Sequence, residues 1–276
     1  MTSDLRTCKN CQTELVGRYC HVCGQKEVTR RLSIREILRE IPEKVFSMER
    51  GLWLTFLSLW SRPGQVCLDY VQGKRQPYVN PVSYFLIGAS LQLLSLWFSA
   101  PVIRQAVQDS IHAASQKPEQ AKIFERMDAM IGGDTAAEMA NVYLTVIAQG
   151  YTYLAFFAFA CPLALLLWMF HRRANYHFAE IMVFTLYVVA HCLVVTAFTT
   201  PIFVRFGNVM QLLTAQGLYI GIIIWAHHKF FPPGIGRRLL TLLAMLMAMI
   251  CFFGAIMVLF GVSWAAYLVA VRLQNP

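Results

Sequence analysis

Four of the eight cysteines stand as two C-x2-C pairs, Cys8 with Cys11 and Cys20 with Cys23, separated by the octapeptide QTELVGRY. Paired knuckles are a metal-site spacing. Two cysteines three apart can place both sulfurs on one ion. Two such pairs complete a tetrahedral shell of four thiolates, which suits structural zinc (Zn2+). Iron in a rubredoxin-like shell is chemically open as well. Four protein ligands leave no position for substrate, so the expected role is structural and not catalytic. Gly24 follows the last cysteine, where a knuckle turn needs positive φ. The octapeptide is long enough for a hairpin turning near Val16 and Gly17. It holds too little apolar mass to fold alone, so metal binding must supply the folding free energy.

Other uses of these cysteines fit less well. Disulfides require an oxidising compartment, whereas the charge pattern below places this end in the cytoplasm. A redox C-x-x-C belongs on a thioredoxin-like βαβ unit, and no such pattern is present. Lys9, Arg18, Lys26, Arg30 and Arg31 make the module basic. No aromatic series for base stacking accompanies them, which argues against nucleic acid and for self-association or docking of a protein partner.

A second group of chemistry-bearing residues lies in apolar surroundings. Glu180 and His191 are eleven apart, three helical turns, hence on one face, with His177 nearby. Ionisable groups in a membrane are functional candidates, and such a line could relay protons or hold a metal. The competing expectation is that Glu180 and His177 sit at the membrane boundary and pair with Arg172 and Arg173. No H-E-x-x-H, G-x-S-x-G or Walker A motif is present. Met245, Met247, Met249 and Met257 are read as gap-fillers and not as a copper site. Cys67, Cys161, Cys192 and Cys251 are read as small hydrophobes. No catalytic residue is assigned, and the reading leans away from an enzyme.

The elements that must position these groups follow from charge. The chain is 57% hydrophobic and 14% charged, against about 25% charged in soluble domains. Uncharged stretches run over 76–103, 139–170, 181–204, 206–228 and 239–271. Each exceeds the ~20 residues that span a bilayer as a helix, and none alternates as barrel strands do. The expected fold is an all-α polytopic membrane bundle of about five transmembrane helices. Spans are placed at about 81–101, within 140–170 with a kink at Pro162, at 180–204 and at 208–228. The last apolar run is expected to be one long or tilted span, broken near GVSW, with a hairpin of two spans as the alternative. Residues 1–31 lack the apolar region and cleavage site of a secretory signal, so the first span is expected to be the anchor.

Thirteen Lys and Arg fall in residues 1–80, two at 172–173 and three at 229–238, eighteen of twenty-four. The positive-inside rule then puts the N-terminus in the cytoplasm of a multi-pass cell (inner) membrane protein, with an extracytoplasmic loop at 102–138. That loop is expected to be partly helical and to end at the glycines 132–133. The net charge of +9 also draws the cytoplasmic face to anionic membrane lipids. Three parts result: a zinc ribbon (1–31), amphipathic and interfacial helices (32–78) and the transmembrane domain (79–276).

In the second part, Ser33 and Glu36 suggest a capping box for an amphipathic helix with Ile34, Ile37, Leu38, Ile41 and Val45 on one face. Gly51–Trp60 is apolar but too short to span. Trp53 and Trp60 suit an interfacial helix that Pro63 and Gly64 stop. A second short helix is placed at 65–72. The stretch GKRQPYVNP then brings Lys74, Arg75 and Tyr78 to headgroup level, either as a positive stop or, with Arg62, as a clamp for lipid phosphate or another anion.

The ribbon followed by ERGLWLTFLSLWSRPGQVCLDYVQGKRQPYVNP resembles a bacterial multi-span membrane-protein family of unassigned function. The shared signature falls on Gly51, Leu52, Thr55, Leu59, Arg62, Pro63, Gly64, Tyr70, Gly73, Lys74, Arg75, Tyr78 and Pro81. The resemblance covers about the first 100 residues and implies this layout without implying a reaction. The favoured function is a non-enzymatic scaffold or regulator that self-assembles or docks a partner at the cytoplasmic face. The alternative is a transporter or channel for a small polar or lipidic solute, supported by Gln92, Asn141, Gln149, Gln211 and Gln216. An intramembrane enzyme using Glu180 and His191 ranks third.

Overall fold

Prolines and short polar side chains set where the helices begin. A computed structural model describes residues 7–27, 31–37, 48–131, 134–146, 152–206, 208–231 and 233–274. After the ribbon and one helical turn at 34–37 come α1 (Met48–Ser61) and α2 (Pro63–Val71). Pro63 occupies the first turn of α2, where its missing N–H costs nothing. Helix α3 (Pro81–Ser115) opens on Pro81. The buried Asn80 caps it, its Oδ1 accepting from Val82 N at 2.9 Å. Two short helices and a long apolar helix starting at Pro81 are thus found where the sequence places them.

Helix α3 runs through Pro101 to Ser115, so the expected extracytoplasmic loop is mostly helix. Its remainder is α4 (Pro118–Ile131) and the first turn of α5 (Thr135–Val146), which runs on into the stretch expected to hold the second span. Asp128 and Asp134 cap α5 through Thr135 N (2.8 Å) and Ala137 N (3.2 Å). The two hydrogen bonds with Thr135 hold the Asp128 carboxyl below its ordinary range. Next come α6 (Thr152–Phe170), containing Pro162, α7 (Phe178–Phe203), α8 (Asn208–Phe230) and α9 (Ile235–Gln274). Helix α9 is one element of 40 residues, about 60 Å long. The break expected at GVSW is absent, because Gly261–Trp264 carry on the helical run. The distal part of the amphipathic helix (38–47), the glycines 132–133 and Pro232 lie outside the described residues.

The chain is therefore an all-α membrane bundle; among the described residues it has no strand, only two isolated β-bridges. Among the described residues, three helices are long and apolar enough to cross a membrane: Pro81–Ala113, Phe178–Phe206 and Ile235–Val271. Gly51–Ser61 and Ala158–Phe170 are shorter apolar helices. The most apolar window of the second candidate is 89% buried, against 17% in the third. A helix apolar on all sides is one that other elements enclose, and α7 is that helix here.

Two compact units emerge. Unit 1 is Met1–Ala89, Ala160–Val194 and Leu218–Ala248; unit 2 is Ser90–Phe159, Val195–Gly217 and Met249–Pro276. All five boundaries fall inside helices (α3, α6, α7, α8 and α9), so the chain passes between the units five times. Charge divides the same way. Unit 1 carries eighteen Lys and Arg against nine Asp and Glu; unit 2 carries six against six.

Inside unit 1 the backbones approach closely at small residues, as membrane helices do. A Cβ on Gly64 would lie 2.2 Å from Ala226 O and 2.9 Å from Lys229 Cβ; one on Gly88 would lie 2.8 Å from Ala190 O. Inside unit 2, Gln92 of α3 accepts from Thr196 Oγ1 (2.9 Å) and donates to Thr200 Oγ1 (3.5 Å), and Ser95 donates to Ala197 O (2.6 Å). These bonds join α3 to α7 where no water competes.

Gly64→Ala pushes a methyl into a backbone carbonyl that cannot rotate away. It is expected to cost about 1–3 kcal/mol and to lower the unfolding temperature in detergent. Gly217→Ala, with nothing within 4 Å, should not lower it. Equal unfolding temperatures for the two variants would contradict this packing.

Candidate metal centre

The ribbon is built from two copies of one turn. In the first, Cys8 N donates to Thr13 O (2.8 Å) and Gln12 N to Cys8 O (2.9 Å). In the second, Cys20 N donates to Gln25 O (2.9 Å) and Gly24 N to Cys20 O (2.8 Å). The residue four past each leading cysteine is left-handed: Gln12 at φ 63° and Gly24 at φ 72°. Gly24 meets the conformation its position requires; Gln12 adopts it without being glycine. The bridges Thr7–Glu14 and Tyr19–Lys26 close each knuckle on itself. The hairpin expected near Val16 and Gly17 does not form, and the chain only bends there.

The four Sγ atoms lie within 4.8 Å of one another. The short approaches are crosswise, Cys8 to Cys23 at 3.6 Å and Cys11 to Cys20 at 3.4 Å. Tetrahedral bonds of about 2.3 Å would set sulfurs about 3.8 Å apart, so the four thiols fit one ion held by both knuckles. All four cysteines are free. Hydrogen bonds to Thr13 bring the Cys11 thiol down to about 6, toward the thiolate that binds metal. The ribbon core is Cys8, Leu15 and Cys20, with Cys11 and Cys23 against it. One buried leucine contributes about 2 kcal/mol, and fixing a single backbone residue costs about 1–2 kcal/mol. The ion would hold the two knuckles together as a structural centre.

Gln25 joins this centre to the membrane domain. It is 4% exposed. Its Oε1 accepts from two consecutive backbone amides, Arg75 N at 3.1 Å and Gln76 N at 2.8 Å. Its Nε2 returns to Lys26 O at 3.1 Å. Beyond the ribbon, Arg31 Nε pairs with Glu180 Oε1 at 3.1 Å, and its Nη2 donates to Asn175 O at 2.9 Å.

The receiving surface is the turn after α2. Gly73 takes φ 100°, and Lys74 N donates to Asp69 O at 2.9 Å. The buried Asp69 carboxylate accepts from Gln65 (3.0 Å), Lys74 (3.2 Å) and Tyr78 (3.2 Å). Burial, then the Asp69 charge, pushes the Tyr78 phenol up, so it stays a donor. Arg75, 2% exposed, pairs with Glu36 Oε1 at 3.1 Å and stands 5.6 Å from the Tyr70 ring centroid. Thr55 accepts from Val79 N at 3.0 Å while donating to Gly51 O at 2.6 Å. Tyr187 of α7 donates to Val79 O.

The anion-clamp residues named from the sequence do not form one open cradle. Lys74, Arg75 and Tyr78 point to internal carboxylates, and Arg62 is exposed. The capping box is half made. Ser33 Oγ accepts from Glu36 N at 3.3 Å, but the Glu36 carboxylate goes to Arg75. Glu180 and His191 are not brought together, standing about 16 Å apart along α7. Glu180 is 3% exposed. Its partner is Arg31, in place of the expected Arg172 and Arg173, and its Oε2 accepts from His177 N at 2.9 Å, closing the start of α7. His191 Nδ1 meets the Tyr84 hydroxyl at 3.2 Å, with Phe56 and Trp60 against its ring.

One polar cluster was missed. His171 and His227, both buried, approach at 3.4 Å between Nε2 atoms, and Thr241 Oγ1 is 3.4 Å from His171 Nε2. His171 Nδ1 lies 3.0 Å from Leu167 O. A carbonyl only accepts, so Nδ1 carries the proton and Nε2 is the acceptor. The signal available was that HRR ends one apolar run and AHHK ends another of the same direction.

Residues 49–93 match a family described as "Protein of unknown function (DUF3667)". The matched stretch holds α1, α2, the turn and the first part of α3. No curated protein and no solved structure matches the chain.

Two outcomes follow. The purified protein is expected to carry one metal ion per chain by elemental analysis, and Cys20→Ser to lose it. Gln25→Ala should keep the metal yet raise protease cleavage within residues 31–37, since the ribbon stays folded and loses its seat. Loss of metal in Gln25→Ala, or unchanged cleavage, would contradict the arrangement.

Proposed function

We propose that this chain is a non-enzymatic membrane scaffold or regulator whose zinc ribbon is a structural platform held against the membrane domain. The observation that carries this reading is the seat of Gln25 on Arg75 N and Gln76 N. It ties a four-thiolate cluster, with no position left for substrate, to the segment that leads into α3. In this reading the ribbon (1–31), the juxtamembrane helices (32–78) and the membrane domain (79–276) act as one platform. Its cytoplasmic face gathers copies of the chain or a protein partner.

The orientation belongs to the same proposal. Segments 1–80, 172–173 and 229–238 hold eighteen of the twenty-four Lys and Arg, so they face the cytoplasm of a bacterial inner membrane. That compartment keeps thiols reduced and available to zinc.

The transporter alternative draws less support. Gln92 is committed to Thr196 and Thr200, and Asn141 accepts from Arg104. Gln149 and the side chains of Gln211 and Gln216 lie outside the described residues.

The test is the mass of the assembly. Native mass spectrometry of the full chain in detergent should show a defined oligomer or a retained protein partner. A zinc chelator, or Cys20→Ser, should dissolve that assembly while the helical signal persists. An assembly unchanged by removal of the metal would contradict the scaffold reading.

A further inference from the structure

The turn between α6 and α7 lines an open surface cleft of about 680 Å³. Its polar lining includes Arg31, Arg172 and His177; Trp168, Tyr176 and Phe178 supply aromatic walls. No carboxylate among the described residues lines it. The nearest acid described in that turn, Glu180, has a side chain only 4% exposed and is already held by Arg31 and by His177 N.

The two guanidinium groups differ. Arg31 spends Nε on Glu180 and Nη2 on Glu180 and Asn175 O. Arg172 is exposed and makes no ion pair among the described residues; its Cζ lies 5.3 Å from the Trp168 ring centroid. That stack holds the guanidinium plane without using its N–H groups. Asn175, left-handed at φ 56°, turns the chain sharply enough to bring Arg172 and His177 to one cleft.

We propose that this cleft binds a phosphate ester, with Arg172 as the principal donor and Arg31 as the second. A planar guanidinium presents paired donors that match phosphate oxygens. The volume exceeds one phosphate group, and the aromatic walls take the organic part of the ester. The position suits a phospholipid headgroup, since α6 ends at Phe170 and α7 begins at Phe178, and Trp and Tyr collect where apolar helices meet water. A soluble phosphate ester offers the same chemistry. The site is distinct from Lys74 and Arg75, whose charges are met internally, and it does not depend on the scaffold reading.

The test uses the intact protein in detergent and two probes: phosphatidylglycerol, compared with diacylglycerol of the same chain length, and glycerol 3-phosphate. Native mass spectrometry measures retention, with melting temperature as the check on folding. Wild type should retain at least one phosphate probe. Arg172→Gln should weaken that retention about tenfold, Arg172→Lys less, and Arg237→Gln not at all. Loss confined to the lipid assigns a headgroup site; loss confined to glycerol 3-phosphate, or shared by both, assigns a site open to soluble esters. Retention of neither probe, no change in Arg172→Gln, or an equal loss in Arg237→Gln would overturn the proposal.

Discussion

One carboxamide oxygen connects the two ends of this architecture. Gln25 Oε1 accepts from the backbone amides of Arg75 and Gln76, and the side chain is 4% exposed. A buried amide left without a partner costs about 1–3 kcal/mol, so removing this oxygen penalises the turn at the buried Arg75 N and frees the more exposed Gln76 N. The position of Gln25 is fixed from the other side by the second knuckle, through Cys20 N to Gln25 O and the left-handed Gly24. Sulfur geometry thus sets the knuckle and the knuckle aims Gln25. Gln25 in turn braces the turn that delivers Asn80 and Pro81 to the start of α3.

What could be read in the sequence was what is local. Cysteine spacing, uncharged runs and the stop at Pro63 and Gly64 each depend on residues a few positions apart. They gave the thiol cluster, the helical membrane class and the short helices before α3. The pairing of charges was not legible, because it joins distant segments. Arg31 meets Glu180 across 149 residues, and Arg75 meets Glu36 across 39. Helical periodicity put Glu180 and His191 on one face, but a shared face does not bring two side chains three turns apart into contact. The approach of His171 to His227 was hidden for the same reason. Gln12 escaped notice because its left-handed backbone comes from the knuckle and not from its own side chain.

The polar groups in the apolar helices are largely consumed in holding helices together. Gln92 and Ser95 fasten α3 to α7, Tyr84 meets His191, and Tyr187 reaches Val79 O. The cations of GKRQP pair with Asp69 and Glu36, so a stretch that looks like a membrane-facing charge cluster also braces the turn. Arg172 differs: it is exposed, stacked on Trp168 and turned toward a cleft that no acid among the described residues lines.

The most direct measurement is hydrogen exchange, followed by mass spectrometry, on the peptide spanning Gly73–Tyr78 in the full-length protein, with metal bound and after its removal. The account predicts slow exchange at Arg75 and Gln76 with metal present and fast exchange without it, because the acceptor for both amides is positioned by the thiolate cluster. Equal protection in the two states would contradict it.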